Sequence, residues 1–378
     1  MQNAALRQIT GAVKTTPIPS LHSLTSTIYI STRFQFETER NIARLLIYSP
    51  HLREEATTFI NPPYRRTSKG WNKYRLTLSQ TIASLEEHEV HLYTDREIRF
   101  RITAPSQLPI FTKIPTIEKK DNLSPLELKQ RVLEHLQLKF PTFPRRVFTD
   151  GSKLENGNAG SGIFCELHNY GSGTRLHKTS SIFHAELTAI YMAVEHILRT
   201  PSQTPMDTII LSDSQSSLEF LKNFKIGDNP PYLVQQILLM VDDIKKKNNV
   251  KIAIQWIPSH INLTQADHAD VTAKAYAEHG AQNLHSTVPF SDLVKHIKIQ
   301  RDISWRTEHY RRLIGRGAWT NHIIPDPLNK PWYRGVVEST TFFTVTNRIL
   351  FGHGNTPLFQ YLMRHRDDPF CPHCPDSH

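Results

Sequence analysis

The stretch FTDGSK, residues 148–153, constrains the fold more than any other. An apolar run ends in a carboxylate, Asp150, followed at once by Gly151 and Ser152. Asp-Gly is a common way for a strand to turn, so taken alone the stretch marks only a strand end. Apolar runs at 145–149, 161–167 and 173–179, separated by Gly/Asn-rich turns, predict a three-strand antiparallel meander. FHAELTAIYMAVEHIL then sets Ala185, Ala189, Met192, Ala193 and His196 at helical spacing without glycine or proline, which predicts a helix over 183–198. DTIILSD reads as a strand ending in a second aspartate, Asp213. A short helix (214–222), a longer one (232–247), the strand VKIAIQWI and a last helix (264–278) complete the order β-β-β-α-β-α-α-β-α. That order predicts an α/β domain whose mixed five-stranded sheet is flanked by helices.

In such a sheet Asp150 and Asp213 sit at the ends of two adjacent strands. Glu186 falls on the first turns of the helix covering them, and Asp270 on the last helix. Each has an ordinary role available: turn, helix cap, dipole partner, solvated helix face. Their joint placement at two strand ends and two covering helices argues for convergence. Gathered like charges stay ionised only when cations neutralise them. Hard divalent cations with oxygen ligands do this, and Mg²⁺, which keeps waters and also binds phosphate oxygens, suits the set. Two ions roughly 4 Å apart activate a water and stabilise the leaving oxygen of an in-line phosphodiester displacement.

Charge distribution supports a polyanionic partner. The chain has 378 residues and a net charge of +10. Residues 1–142 hold 20 Lys+Arg against 13 Asp+Glu, residues 143–281 hold 13 against 14, and residues 282–378 hold 12 against 8. A near-neutral middle is thus flanked by basic arms. Prolines at 105, 109, 115, 125, 141 and 144 mark a connector and place a boundary near 142. No run approaches the roughly 18 apolar residues of a membrane span, and the N-terminus lacks a charged-then-apolar signal layout, so an intracellular location, cytoplasm or nucleus, without a membrane partner is expected. Three cysteines cannot close a disulfide framework, and Cys165 reads as a small buried hydrophobe.

TDGS at 149–152, HAEL at 184–187, SDSQSS at 212–217 and WIPSHINLTQADHADVTAKAYA at 256–277 resemble, in order and spacing, the four signature blocks of type 1 ribonuclease H domains. The resemblance covers about 143–281. It implies a ribonuclease H-like fold and a metal-dependent endonuclease that hydrolyses the RNA strand of RNA/DNA hybrids by a two-metal mechanism. The implied ligands of two Mg²⁺ ions, with Mn²⁺ as a substitute, are Asp150, Glu186, Asp213 and Asp270, with Asp150 bridging. His260 matches the loop histidine that assists turnover in the family. The loop departs from the family pattern: it has no glycines, and Asn262, Gln265, Ala266 and Asp267 stand where glycines and an Asn-Glu pair usually occur, which bears on turnover rate.

An RNA strand is told from DNA by its 2′-hydroxyls in a shallow minor groove, reached by main-chain groups and small polar side chains. Gly151, Ser152, Asn156, Asn158, Ser214 and Gln215 suit that task, and also suit turns and caps; the family block favours contact for Gln215. The flanks, QNAALRQITGAVKTTPIPSL at 2–21 and RILFGHGNTPLFQYLMRHRDDPFCPHC at 348–374, resemble the end of the polyprotein of arthropod-type non-LTR retrotransposons. This implies a reverse transcriptase thumb-like remnant and connector over 1–142, the ribonuclease H domain over 143–281 and a basic region over 282–378, both flanks mainly helical. No aromatic-x-Asp-Asp motif occurs, so no polymerase activity is expected. Cys371, Cys374 and His378 have the spacing of a truncated zinc knuckle; three ligands fall short of the four of a structural site, which argues against Zn²⁺ there. The rival reading is a catalytically silent retroelement remnant that only binds nucleic acid. The complete carboxylate set together with His260 favours the enzyme.

Overall fold

The computed structural model describes residues 1–48, 108–117, 123–201, 205–225, 227–228, 230–281, 288–327, 330–354 and 356–370, with the single positions 79 and 372. Within the segment read as thumb-like remnant and connector, residues 49–107 other than 79 and residues 118–122 lie outside these residues, as do Cys371, Cys374 and His378 of the zinc-knuckle pattern.

The chain begins with helices α1 (Gln2–Thr10), α2 (Ile18–Thr25) and α3 (Ile30–Tyr48). The short strand β1 (Ile110–Phe111) and helix α4 (Pro125–Lys139) precede strands β2 (Arg145–Lys153), β3 (Ala159–Cys165) and β4 (Tyr170–Leu176). Helix α5 (Ile182–Arg199), strand β5 (Thr208–Ser212), helices α6 (Gln215–Lys222) and α7 (Tyr232–Asn248), strand β6 (Ile252–Trp256) and helix α8 (Thr264–His279) follow. Helices α9 (Phe290–Leu313), α10 (Ala318–Ile323), α11 (Thr340–Leu350) and α12 (Pro357–Leu362) complete the described elements. None of the described helices is long and apolar enough to cross a membrane.

The contacts divide the chain into two units, one of residues 42–294 and one combining residues 1–41 with 295–378. In the first, the sheet order is β1-β6-β5-β2-β3-β4. β2–β3–β4 is the expected antiparallel meander, and β5 and β6 add in parallel beside β2. The sheet has six strands where five were expected. The sixth, β1, pairs in parallel with β6 through Ile110 opposite Ile254 and Phe111 opposite Gln255. Two residues are too few to show a period of two, and so the connector concealed it.

The alternation of β2 sends Val147 to one face and Phe148 to the other. Val147 joins Leu187, Ile190 and Val194 of α5 and Ile237, Val241 and Ile244 of α7. Phe148 joins Leu128, Val132 and Leu136 of α4, together with Ile209, Leu211, Ala253 and Ala269. Helix α4 starts on a capping box: the Ser124 hydroxyl accepts from the Glu127 amide while the Glu127 carboxylate accepts from the Ser124 amide. Proline in the first turn reinforces this start.

In the other unit, Leu6, Leu21, Leu24 and Phe351 form a small core. The two chain ends are joined by hydrogen bonds, Asn347 Nδ2 donating to the Thr10 carbonyl (3.1 Å) and Arg348 Nε to that of Gly11 (3.0 Å). Gly11 ends α1 at φ 66°, where a Cβ would lie 2.6 Å from the Thr344 methyl.

Because α4 covers one face of the sheet, the unit of residues 42–294 draws part of its core from residues N-terminal of 142. Full burial of side chains such as Leu128, Val132 and Leu136 contributes about 1.5–3 kcal/mol each, together comparable with the ~5–15 kcal/mol net stability of a whole domain. A fragment of residues 143–281 should therefore be unfolded or aggregated at 25 °C, whereas residues 108–281 should melt cooperatively. Circular dichroism melts of the two fragments check this, and equal melting temperatures would contradict the role given to α4.

Candidate active site

Two strand ends and two helices build the site. In the parallel β2–β5 pair Thr149 lies opposite Ser212, so the following residues, Asp150 and Asp213, stand side by side. In the antiparallel β2–β3 pair Asp150 lies opposite Gly162. A Cβ on Gly162 would fall 2.5 Å from the Ala269 carbonyl oxygen and the Ala273 amide nitrogen, so only glycine lets α8 lie directly on β3 there. That approach brings Asp270, the residue after Ala269, to the site. Gly151 has the matching function on the other side, since a Cβ there would lie 2.4 Å from the Glu186 amide nitrogen. Helix α5 is started by Ser181, whose hydroxyl accepts from the His184 amide. Glu186 then falls on its second turn, above the strand ends.

Oxygen atoms of Asp150, Glu186 and Asp213 lie within 4.8 Å of one another. Asp270 belongs to the same cleft, a space of about 350 Å³ also lined by Gly151, Ser152, His260 and Lys274, but stands apart from this trio. Its carboxylate accepts a hydrogen bond from the Lys274 ammonium at 2.7 Å, one helical turn on.

Burial and mutual repulsion raise the proton affinity of the cluster. Asp150 is pushed up to about 8, first by burial and then by the charges of Asp213 and Asp270, with Lys274 opposing. Glu186, only 8% exposed, is raised well above the ordinary carboxylate range by burial and then by Asp213 and Asp150, against a hydrogen bond from the Gly151 amide. One Glu186 oxygen, Oε2, is buried without a hydrogen-bond partner. A buried carboxyl oxygen left without a donor, on a residue clustered with two other carboxyls, marks a position for a cation. The oxygen-only donor set thus fits hard divalent ions.

His260 is exposed on the cleft rim. Its loop is anchored by the buried side chains of Ile257, Ile261 and Leu263, and by Lys129 Nζ donating to the Asn262 carbonyl at 2.8 Å. His260 and Asn262 have φ of 58° and 54°, the left-handed region in which glycine is at ease. The loop therefore adopts without glycine a course that costs side-chain-bearing residues roughly 1–2 kcal/mol each.

The six residues read as RNA contacts separate into groups. Gly151 and Ser152 line the cleft, with Gly151 also forming the seat of α5. Asn156 and Asn158 lie in the β2–β3 turn, the Asn156 side-chain oxygen Oδ1 accepting from the Asn158 main-chain amide at 3.0 Å. Ser214 precedes α6 and donates to the Ser217 hydroxyl, and Gln215 donates through Nε2 to the Thr112 carbonyl at 3.0 Å. Lys274 was missed in the sequence reading. Its signal was the i,i+4 spacing from Asp270.

Residues 144–278 match the family model described as RNase H. No curated protein matches the chain. The chain thus carries an RNase H domain with the mixed α/β fold expected of it.

A test of the site's electrostatics follows without substrate. A carboxyl whose folded-state pKa is raised adds stability that is complete below its unfolded pKa, near 3.9, and is lost as pH rises through the folded value, about 8 for Asp150. In chelator-treated buffer the Asp150→Asn variant should match the parent's melting temperature near pH 4 and exceed it increasingly up to pH 8–9. Millimolar Mg²⁺ should shrink that advantage by stabilising the parent. A pH-independent difference would show that the folded state does not raise the Asp150 carboxyl.

Proposed function

We propose that this RNase H domain hydrolyses the RNA strand of RNA/DNA hybrids, using divalent ions held by Asp150, Glu186, Asp213 and Asp270. The observation that carries the reading is the convergence of three partly or fully buried carboxylates within 4.8 Å, an arrangement stable in the ionised form only around cations. Bound Mg²⁺, with Mn²⁺ as a substitute, would activate a water and stabilise the leaving 3′-oxygen. Asp150, whose neighbours are Glu186 on one side and Asp213 on the other, is the carboxylate suited to serve two ions. Asp270 joins by exchanging Lys274 for a metal.

Gly151 and Ser152 are placed to meet the scissile strand at the cleft floor. Asn156, Asn158, Ser214 and Gln215 supply polar groups on the turn and helix start that flank it, suited to 2′-hydroxyls. His260, reaching over the rim from an anchored loop, is positioned to assist departure of product and is not a metal ligand. The basic character of residues 1–142 and 282–378 supports nonspecific phosphate binding. The context is read as the C-terminal part of a non-LTR retrotransposon polyprotein.

The test is incubation of the full chain with an end-labelled RNA/DNA hybrid, Mg²⁺ or Mn²⁺, and a DNA duplex control. Cleavage confined to the RNA strand, leaving 5′-phosphate, is expected; hybrid binding without cleavage would favour the silent nucleic-acid-binding remnant instead. Asp150→Asn, nearly equal in volume, should lower the rate at least ~10³-fold with the fold intact, since it removes a charge and a ligand together. Near-parental cleavage would refute the metal assignment. His260→Ala should slow steady-state turnover by about 10–100-fold while leaving the metal-concentration dependence unchanged. A loss as deep as that of Asp150→Asn, or none, would remove His260 from its role.

A further inference from the structure

Helix α5 carries a second group of ligating side chains at its other end. Glu186 is near its start and His196 in its last turn, about 15 Å further along the axis at 1.5 Å per residue. Cys165 ends β3, and His168 lies in the turn leading to β4. One donor atom from each of Cys165, His168 and His196 falls within 4.8 Å of the others. The Cys165 sulfur and the His168 Nδ1 are 3.5 Å apart. A tetrahedral zinc with Zn–S of about 2.3 Å and Zn–N of about 2.0 Å separates its sulfur and nitrogen ligands by about 3.5 Å, so this pair already has the span. His196 Nε2 is buried without a hydrogen-bond partner. Its ring is held by stacking on Tyr170, at 5.1 Å and 9°, and by an edge contact with His168 at 5.6 Å.

We infer that Cys165, His168 and His196 form a Zn²⁺ site that fastens the β3–β4 turn to the C-terminal end of α5. One thiolate and two imidazoles are soft and borderline donors, suited to Zn²⁺ and unsuited to the Mg²⁺ that carboxylates prefer. Both imidazoles are held neutral, as ligation requires. His196 is pushed down to about 4, by burial first and then by Arg145 and His168; His168 is also lowered, by burial and Arg145. Arg145 is the cation facing both, and its guanidinium is engaged by the Thr200 carbonyl and hydroxyl. With three protein ligands this is an open site whose fourth position falls to water, on the side where His168 is exposed; it is weaker than a closed four-ligand structural site, and it rests on the fold having already gathered the three donor atoms within 4.8 Å.

The test uses the full chain with Cys371→Ser and Cys374→Ser, which leaves Cys165 as its sole cysteine. Titration with Co²⁺ should give near-ultraviolet thiolate-to-cobalt absorption of the strength of one thiolate ligand per chain, a band that cobalt in the carboxylate cleft cannot give; Zn²⁺ should displace it and raise the melting temperature. His168→Gln, at an exposed turn position, should weaken cobalt binding at least ~10-fold with an unchanged circular dichroism spectrum, and Cys165→Ala should abolish the absorption. Asp150→Asn should leave it unaltered, which separates this site from the carboxylate cleft. Absence of thiolate-to-cobalt absorption, or absorption indifferent to His168→Gln, would overturn the site and leave the group as a buried thiol hydrogen-bonded to an imidazole.

Discussion

The direct contact of helix backbone with sheet backbone at Gly151, Gly160 and Gly162 is the constraint on which the rest depends. A Cβ at Gly160 would lie 2.5 Å from the Ala273 carbonyl, as one at Gly162 would from that of Ala269, while Gly151 meets the amide of Glu186 itself. These glycines and the alanines at 269, 273 and 277, one turn apart on α8, let two helices settle closer than ordinary side chains allow. Four carboxylates on four different elements are thereby brought to one cleft. Larger residues at either surface would spread them beyond the reach of a shared ion.

Such convergence works against stability in the absence of metal. Repulsion and burial favour protonated carboxyls, and the raised pKa values of Asp150 and Glu186 express that cost. Part of it is relieved locally. Lys274 neutralises Asp270, and the Gly151 amide serves Glu186. The Trp256 indole donates to the Asp213 carbonyl at 3.1 Å, holding the end of β5 in place without touching the carboxylate charge. The surrounding packing, with α4 and α5 on opposite faces of the sheet, carries the remainder.

Helix α5 links two chemistries. Its first turns present a hard carboxylate to a cleft of oxygen donors, and its last turn presents an imidazole to a thiol and a second imidazole. The two donor types sort divalent ions by hardness, so the two ends do not compete for one metal. A helix held at both ends is a firmer mount for Glu186 than one held at its cap alone.

Much of this was legible in the sequence because it is written in short-range patterns. The period of two around Val147 and Phe148, the helical spacing of Ala185, Ala189 and Ala193, and aspartates after two apolar strands determined the element order and which carboxylates could share an end of the sheet. Other features depend on pairs far apart in the chain. β1 became a strand only because β6 offered an open edge to two residues. Residues 1–41 joined 295–378 through contacts such as Asn347 with Thr10, 337 positions apart. Cys165 reads as a plain buried hydrophobe until folding sets His196 of α5 beside it. Local sequence determines backbone propensity and the facing of side chains. Which distant surfaces meet is decided only when the folded chain finds the packing that buries them, and no short window of residues contains that choice.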